Sequence, residues 1–281
     1  MGYQDPSDGV RCGMRGFGCL PLLMFVLGAC EGEARNPSDA GSVDTGLPDA
    51  GAPDTGLPDA GRCELAETVT LTTEDGVTLE ADALRPAGEI RGAVALFHMI
   101  PPFNTRGNYP AELLDALTER GLAVLNVDRR GAGGSEGDPV EAYEGPAGRL
   151  DVLAAVQWLV DDPCVPDVPY ALVGASNGTT SVLDFTVDPG AVSGPSAIAF
   201  LTGGGYTENQ NAIADHRDAL DPLPLLFLYS TEERAWSAAF EADGSASWRF
   251  EEVADGAHGT NVFGAAPATI ELVADFLADA L

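Results

Sequence analysis

Val168-Pro169-Tyr170-Ala171-Leu172-Val173-Gly174-Ala175-Ser176-Asn177-Gly178 is the stretch that decides how this chain folds. The apolar run ending at Val173 has the length of a buried strand, and Gly178–Val187 reads as a helix directly behind it. Between them, Gly174-x-Ser176-x-Gly178 fits the strand–turn–helix pattern that holds a serine on a sharp bend. Glycines suit the flanks because the bend strains the backbone and the helix packs close to the strand. The helix start aims free N–H groups at the serine, which makes Ser176 a candidate nucleophile.

Gly133-Gly134-Ser135-Glu136-Gly137 fits the same five-residue pattern. Its context is wrong. The polar Asp128-Arg129-Arg130-Gly131 separates it from the preceding strand, Glu136 would set a negative charge beside a developing oxyanion, and Asp138-Pro139 follows in place of a helix. Ser135 is expected to be a loop residue.

A nucleophilic serine needs a base to take its proton and an acid to orient that base. The chain has three histidines. His258, in Asp255-Gly256-Ala257-His258-Gly259, lies in a glycine-bearing loop between an expected strand at 247–253 and the C-terminal helix, within reach of the bend at Ser176. His216 sits in a polar stretch and reads as a solvated surface residue, and His98 ends an expected strand at 93–97. For the acid, a strand at 223–229 runs into Ser230-Thr231-Glu232-Glu233. Glu233 is the first choice, Glu232 the reserve, and Glu208, after a strand at Ala197–Leu201, a third candidate.

With the order Ser176, Glu233, His258 in view, the chain resembles the α/β-hydrolase superfamily over roughly residues 68–281. Phe97-His98-Met99-Ile100-Pro101 is similar to the family's His-Gly oxyanion segment after the third strand. The run from Gly121 through Val127-Asp128-Arg129-Arg130-Gly131-Ala132-Gly133-Gly134-Ser135 is similar to its D-x-R-G-x-G-x-S stretch, which is mainly structural. The resemblance is strongest to small uncapped esterases, dienelactone hydrolases and serine aminopeptidases. It implies cleavage of an ester, thioester or amide of a small molecule through an acyl-enzyme, without cofactor or metal. It also implies an oxyanion hole made of the backbone N–H of Asn177 and one from Ile100 or Met99. Two departures stand out: Met99 replaces the usual glycine, which leaves the choice between Met99 and Ile100 open, and the acid is glutamate where aspartate is commoner. A reading from a different class is a catalytically silent binding module on the same scaffold, since fold does not dictate function.

Composition narrows the alternatives. The chain carries 14 basic residues, all of them arginine, against 44 acidic ones, a net charge of −30. Without lysine there is no Schiff-base chemistry, no lysine-anchored pyridoxal phosphate and no Walker P-loop. The charge disfavours nucleic acid as a partner and suits solubility. Scattered histidines and the lack of a C-x-x-C pair give no metal-ligand spacing, and Glu136 stands where a dinucleotide fingerprint wants glycine.

The N-terminal part reads as an address and a tether. Residues 20–29 are apolar, follow Arg15 and fall short of the ~20 residues of a spanning helix, as in the core of an export signal. Leu27-Gly28-Ala29-Cys30 is similar to a bacterial lipobox, with 1–29 removed and Cys30 lipidated; Asp5 and Asp8 suit a signal poorly, so Met14 is an alternative start. The expected location is the bacterial cell envelope, with the lipid membrane as partner through this anchor. Residues 30–62 repeat Asp44-Thr45-Gly46-Leu47-Pro48-Asp49-Ala50-Gly51 as Asp54-Thr55-Gly56-Leu57-Pro58-Asp59-Ala60-Gly61, a tract too poor in apolar surface to fold. Its flexible reach would be roughly 30 Å. Cys63 and Cys164 remain after processing and are candidates for a disulfide in an oxidising compartment.

Residues 63–281 suit one α/β domain, a mostly parallel sheet with helices on both faces and no large cap. Residues 69–73 and 78–84, around Asp75-Gly76, read as an edge hairpin. Pro110 opens a helix with Leu113 and Leu117 on one face; Leu150, Leu153, Ala154 and Trp158 mark a second stripe, and Ile270, Val273, Ala274 and Leu277 a third. Tyr143, Tyr206, Asn209 and Trp236 are candidates for the rim of an open cleft.

Overall fold

The structure, a computed structural model, describes residues 63–203 and 211–281. The signal segment, Cys30, the tether, Tyr206, Glu208 and Asn209 lie outside the described residues.

Eight strands form one sheet: β1 (Ala66–Thr72), β2 (Thr78–Leu84), β3 (Gly92–Phe97), β4 (Leu122–Val127), β5 (Tyr170–Ala175), β6 (Ala197–Leu201), β7 (Leu225–Ser230) and β8 (Trp248–Val253). Their spatial order is β1-β2-β4-β3-β5-β6-β7-β8. The β1–β2 and β2–β4 pairings are antiparallel, and every pairing from β4 to β8 is parallel. The helices are α1 (Ala111–Glu119), α2 (Ala147–Asp161), α3 (Gly178–Val187), α4 (Arg217–Leu220), α5 (Arg234–Ser237), α6 (Val262–Ala265) and α7 (Ala268–Ala280). This is the expected mostly parallel sheet covered on two faces, with no cap domain among the described residues.

Alternation along the strands divides the core. Val94 and Leu96 of β3 join Leu113 and Leu117 of α1 and Val273 and Leu277 of α7 on one face. Ala93, Ala95 and Phe97 join Val152 and Val156 of α2 and Val182 and Phe185 of α3 on the other. Strands β3 to β7 are buried along their whole length, as strands covered on both faces must be. Each large apolar side chain so buried contributes roughly 1.5–3 kcal/mol before conformational entropy is charged against it.

The chain leaves β3 toward β4 and then crosses back over β3, through α2, to β5. That reversal opens a crevice beyond the carboxyl ends of β3 and β5, the place where ligands bind in open α/β sheets. Phe97 pairs with Gly174, so the loop after β3 and the bend after β5 leave the sheet side by side.

Two expectations need correction. In α2 the deepest positions are Asp151, Val152, Ala155 and Val156, whereas Leu150 and Trp158 are only partly covered. The helix is pressed by the sheet on one side and α3 on the other, so its buried arc is wider than one stripe and rotated from the expected one. Arg85 covers the outer face of Trp158 at 5.7 Å. His216 is half-buried rather than solvated, with Nε2 held 2.7 Å from Oδ1 of Asn211.

Candidate active site

Ser176 sits on the bend between β5 and α3 with φ 52°, the strained left-handed region for a residue with a side chain. Its N–H donates to the carbonyl of Leu201 at 2.9 Å and its carbonyl accepts the N–H of Thr179 at 3.0 Å, which pins the strained residue between β6 and the first turn of α3. Gly178 is obligatory: a Cβ there would lie 2.6 Å from the carbonyl oxygens of both Phe97 and His98.

The Oγ of Ser176 lies 2.7 Å from Nε2 of His258, and Nδ1 of His258 lies 2.6 Å from Oε1 of Glu233. The three residues come from loops after β5, β7 and β8, all leaving the same edge of the sheet. Burial favours a neutral carboxyl at Glu233, but hydrogen bonds from the Ser230 N–H, His258 and Thr202 outweigh it and hold the group below the usual glutamate range. An ionised carboxylate only accepts, so His258 presents Nδ1–H to Glu233 and its bare Nε2 accepts the Ser176 hydroxyl proton. Ser176 and Glu233 are buried and the His258 side chain is 43% exposed, so the array opens to solvent over the imidazole.

Glu233 is set by a local motif. Ser230 caps the turn Thr231–Glu233: its hydroxyl accepts the Glu233 N–H, while Oε2 of Glu233 accepts the Ser230 N–H at 3.1 Å. This S-x-x-E capping box is visible in the sequence and separates Glu233 from Glu232, which is exposed and outside the array. Thr202, at the end of β6, donates from Oγ1 to Oε2 of Glu233 at 2.9 Å and accepts the Gly259 N–H at 2.9 Å. Sequence reasoning missed Thr202; a threonine after a strand carries no signal of its own.

The segment after β3 lies against the bend. Met99 is buried, and its side chain occupies the space a Cβ on Gly259 would need, 2.5 Å from Sδ, with the Ser176 Cβ 3.7 Å from the same point. Met99 is thus packing between the loops of residues 176 and 258. The backbone N–H groups of Asn177, Met99 and Ile100 make no hydrogen bond to protein among the described residues. Beneath them His98 is fully buried, with Nδ1 2.7 Å from the Met99 carbonyl oxygen and Nε2 accepting the Arg129 N–H at 2.9 Å. Burial and the nearby Arg129 charge push the His98 imidazole down to about 3, so it remains neutral.

Ser135 is placed by structural bonds. Its Oγ donates to the Asp128 carbonyl at 2.6 Å and accepts the Glu80 N–H at 2.9 Å. Arg130 likewise joins Asp151 of α2 at 2.8 Å and Asp75 of the β1–β2 turn at 2.8 Å. Cys63 and Cys164 form a disulfide with Cα atoms 5.7 Å apart, joining the residues before β1 to the loop between α2 and β5. Tyr143 is half-buried; Trp236 is exposed, as are Ile100, Phe103 and Val140, all on segments that follow β3, β4 or β7 at the edge carrying Ser176.

Residues 75–202 match the family model of the X-Pro dipeptidyl-peptidases (S15 family), a stretch just under half of the chain that includes Ser176 and stops short of Glu233 and His258. No curated protein matches the sequence. Among solved structures, an esterase of Pyrococcus furiosus superposes with a TM-score of 0.60 at 16% identity, covering 76% of this chain and 91% of its own. A dienelactone hydrolase of Anabaena variabilis gives 0.55 at 17%, covering 76% and 97%. An α/β serine hydrolase without lid from Xanthomonas campestris gives 0.57 at 14%, covering 78% and 94%. At these identities the likeness is one of fold, and the fold is that of the α/β-hydrolases.

Proposed function

With the α/β-hydrolase fold as its frame, we propose that the chain is a serine hydrolase that cleaves a small-molecule carboxylic ester through an acyl-enzyme on Ser176. The observation that carries the reading is the continuous relay Ser176–His258–Glu233, with contacts of 2.7 and 2.6 Å. In it, His258 takes the hydroxyl proton as Oγ attacks the carbonyl carbon. The N–H groups of Asn177 and of Met99 or Ile100 receive the oxyanion, and Glu233 stabilises the imidazolium. The tetrahedral intermediate expels the alcohol, which leaves with the proton from His258. Water, deprotonated by the same imidazole, then releases the acid.

Exposed Ile100, Phe103, Val140 and Trp236 at this edge favour an uncharged, partly apolar ester, and the net charge of −30 disfavours anionic substrates. Turnover of p-nitrophenyl acetate by the wild type and its loss in Ser176→Ala is the test. Equal activity of the two, or none in either with the protein folded, would favour the silent binding module.

The reading includes a location. We propose that Cys30 is lipidated and that residues 31–62 tether the domain to the bacterial envelope, in keeping with a disulfide suited to an oxidising compartment. Partition into the detergent phase, lost in Cys30→Ala, tests it.

A further inference from the structure

Arg129 lies under the crevice and is completely buried. Its Nη1 donates to the carbonyl oxygens of His98 at 3.2 Å and Met99 at 3.4 Å, and to Oδ1 of Asn177 at 2.8 Å. Its Nη2 donates to Oγ of Ser181 on α3 at 2.9 Å and to the carbonyl of Ala142. One guanidinium nitrogen thus holds both the segment after β3 and the bend after β5.

No carboxylate pairs with Arg129 among the described residues. The buried Asp151 beside it is engaged by the neighbouring Arg130, and Nε of Arg129 has no hydrogen-bond partner. Burial and the like charge of Arg130 pull its guanidinium down to about 10, which still leaves it charged at neutral pH. A buried cation that has no ion pair of its own and only shares the charge of Asp151 with Arg130 is costly, so an arrangement that keeps one beside a candidate catalytic bend calls for a reason.

The peptide plane supplies it. In a trans peptide the C=O and the following N–H point in opposite directions. Because the carbonyls of His98 and Met99 both face Arg129, the N–H groups of Met99 and Ile100 face away from it. We propose that Arg129 is a positioning residue of the oxyanion hole: it turns these N–H groups toward the crevice, locks them to the Asn177 arm, and sets a positive charge behind the place where the oxyanion develops. The proposal rests on the serine-hydrolase reading and names the group that makes the hole. The tetrahedral oxyanion, formed as the Ser176 Oγ bonds to the carbonyl carbon and the carbonyl electron pair moves to oxygen, adds negative charge in front of a guanidinium that in the resting protein only shares Asp151 with Arg130.

The test uses the full chain with Arg129→Met, which keeps the bulk and removes the charge, and Arg129→Lys, which keeps the charge. The readouts are kcat and KM for p-nitrophenyl acetate, inhibition by a short alkyl trifluoromethyl ketone, whose adduct with serine is a tetrahedral oxyanion, and Tm. The Met variant should lose about 10- to 100-fold in kcat, and the same factor in affinity for the ketone, with KM within about threefold. The Lys variant should recover a large part of both. Asn177→Ala, which keeps the N–H and removes the acceptor of Arg129, should lower kcat by about three- to tenfold at constant KM, and it provides the measurement if Arg129→Met does not fold. Equal Met and Lys variants, or Asn177→Ala with wild-type kcat, would overturn the proposal. A wild type that neither turns over the ester nor binds the ketone would instead remove the reading on which it rests.

Discussion

Thr202 and Glu233 are joined by a 2.9 Å hydrogen bond from hydroxyl to carboxylate, and the same hydroxyl accepts the N–H of Gly259, the residue after His258. One side chain therefore holds the acid and the histidine loop in register. Thr202→Val removes that hydroxyl and leaves a buried N–H without a partner, which should cost about 1–3 kcal/mol. We expect kcat for p-nitrophenyl acetate to fall about tenfold as His258 loses its fixed aim, with recovery in Thr202→Ser. A Val variant with unchanged kcat and Tm would show that the bond is idle.

Gly259 has φ +57°, and a Cβ there would collide with the Met99 sulfur. Gly259→Ala should therefore displace the histidine loop and lower kcat by about 10-fold or more, with a stability loss of about 1–3 kcal/mol. Combining it with Met99→Ala relieves the collision but not the backbone strain, so rescue should be partial. Strictly additive effects would place Met99 elsewhere.

Acid should unfold the domain in two stages. The folded His98 imidazole is pushed down to about 3, whereas the unfolded chain takes up that proton near 6.5. Its stabilising contribution is complete above pH ~6.5 and is lost as pH falls toward 3. Glu233, held below the usual glutamate range, contributes above pH ~4.3 and loses its share as pH falls through its lower folded value. Tm measured from pH 8 to 4 should drop with acid, with a shallower slope in His98→Gln above pH ~4.5 and, in Glu233→Gln, a change confined to the most acid end. An unchanged slope in His98→Gln would contradict the first stage.

The Cys63–Cys164 bond spans 101 residues of sequence. Replacing both cysteines by serine should cost about 2–5 kcal/mol and lower Tm, with kcat at 25 °C unchanged, because the bridge lies between β1, α2 and β5 and away from the Ser176 loops. Thermal melts with and without reductant check this: reductant should lower the Tm of the wild type and leave that of the double variant alone.

What could be read from the sequence was whatever local chemistry announces. The bend at Ser176 was legible because a strand, two close glycines and a helix are all written within a few residues. The strand at Ala197–Leu201 and the helix Gly178–Val187 agree to the residue. Strands β3, β7 and β8 differ by one or two positions at their ends: the strands take in Gly92 and Ser230 beyond the expected runs and leave out Leu223, Pro224 and Ser247. The α2 stripe was misplaced because a helix clasped by a sheet and another helix is apolar most of the way round. Thr202 and Arg129 escaped notice for a different reason: each acts across distant segments, and nothing near a threonine or an arginine in the chain records where its side chain ends.

The most direct test of the central claim is the site of covalent modification. The wild type is treated with a fluorophosphonate, its intact mass is measured, and the modified peptide is sequenced. A single adduct on Ser176 is expected, slowed at least about 100-fold in His258→Ala and unaffected by Ser135→Ala. An adduct on Ser135, or a folded protein with no adduct, would contradict it.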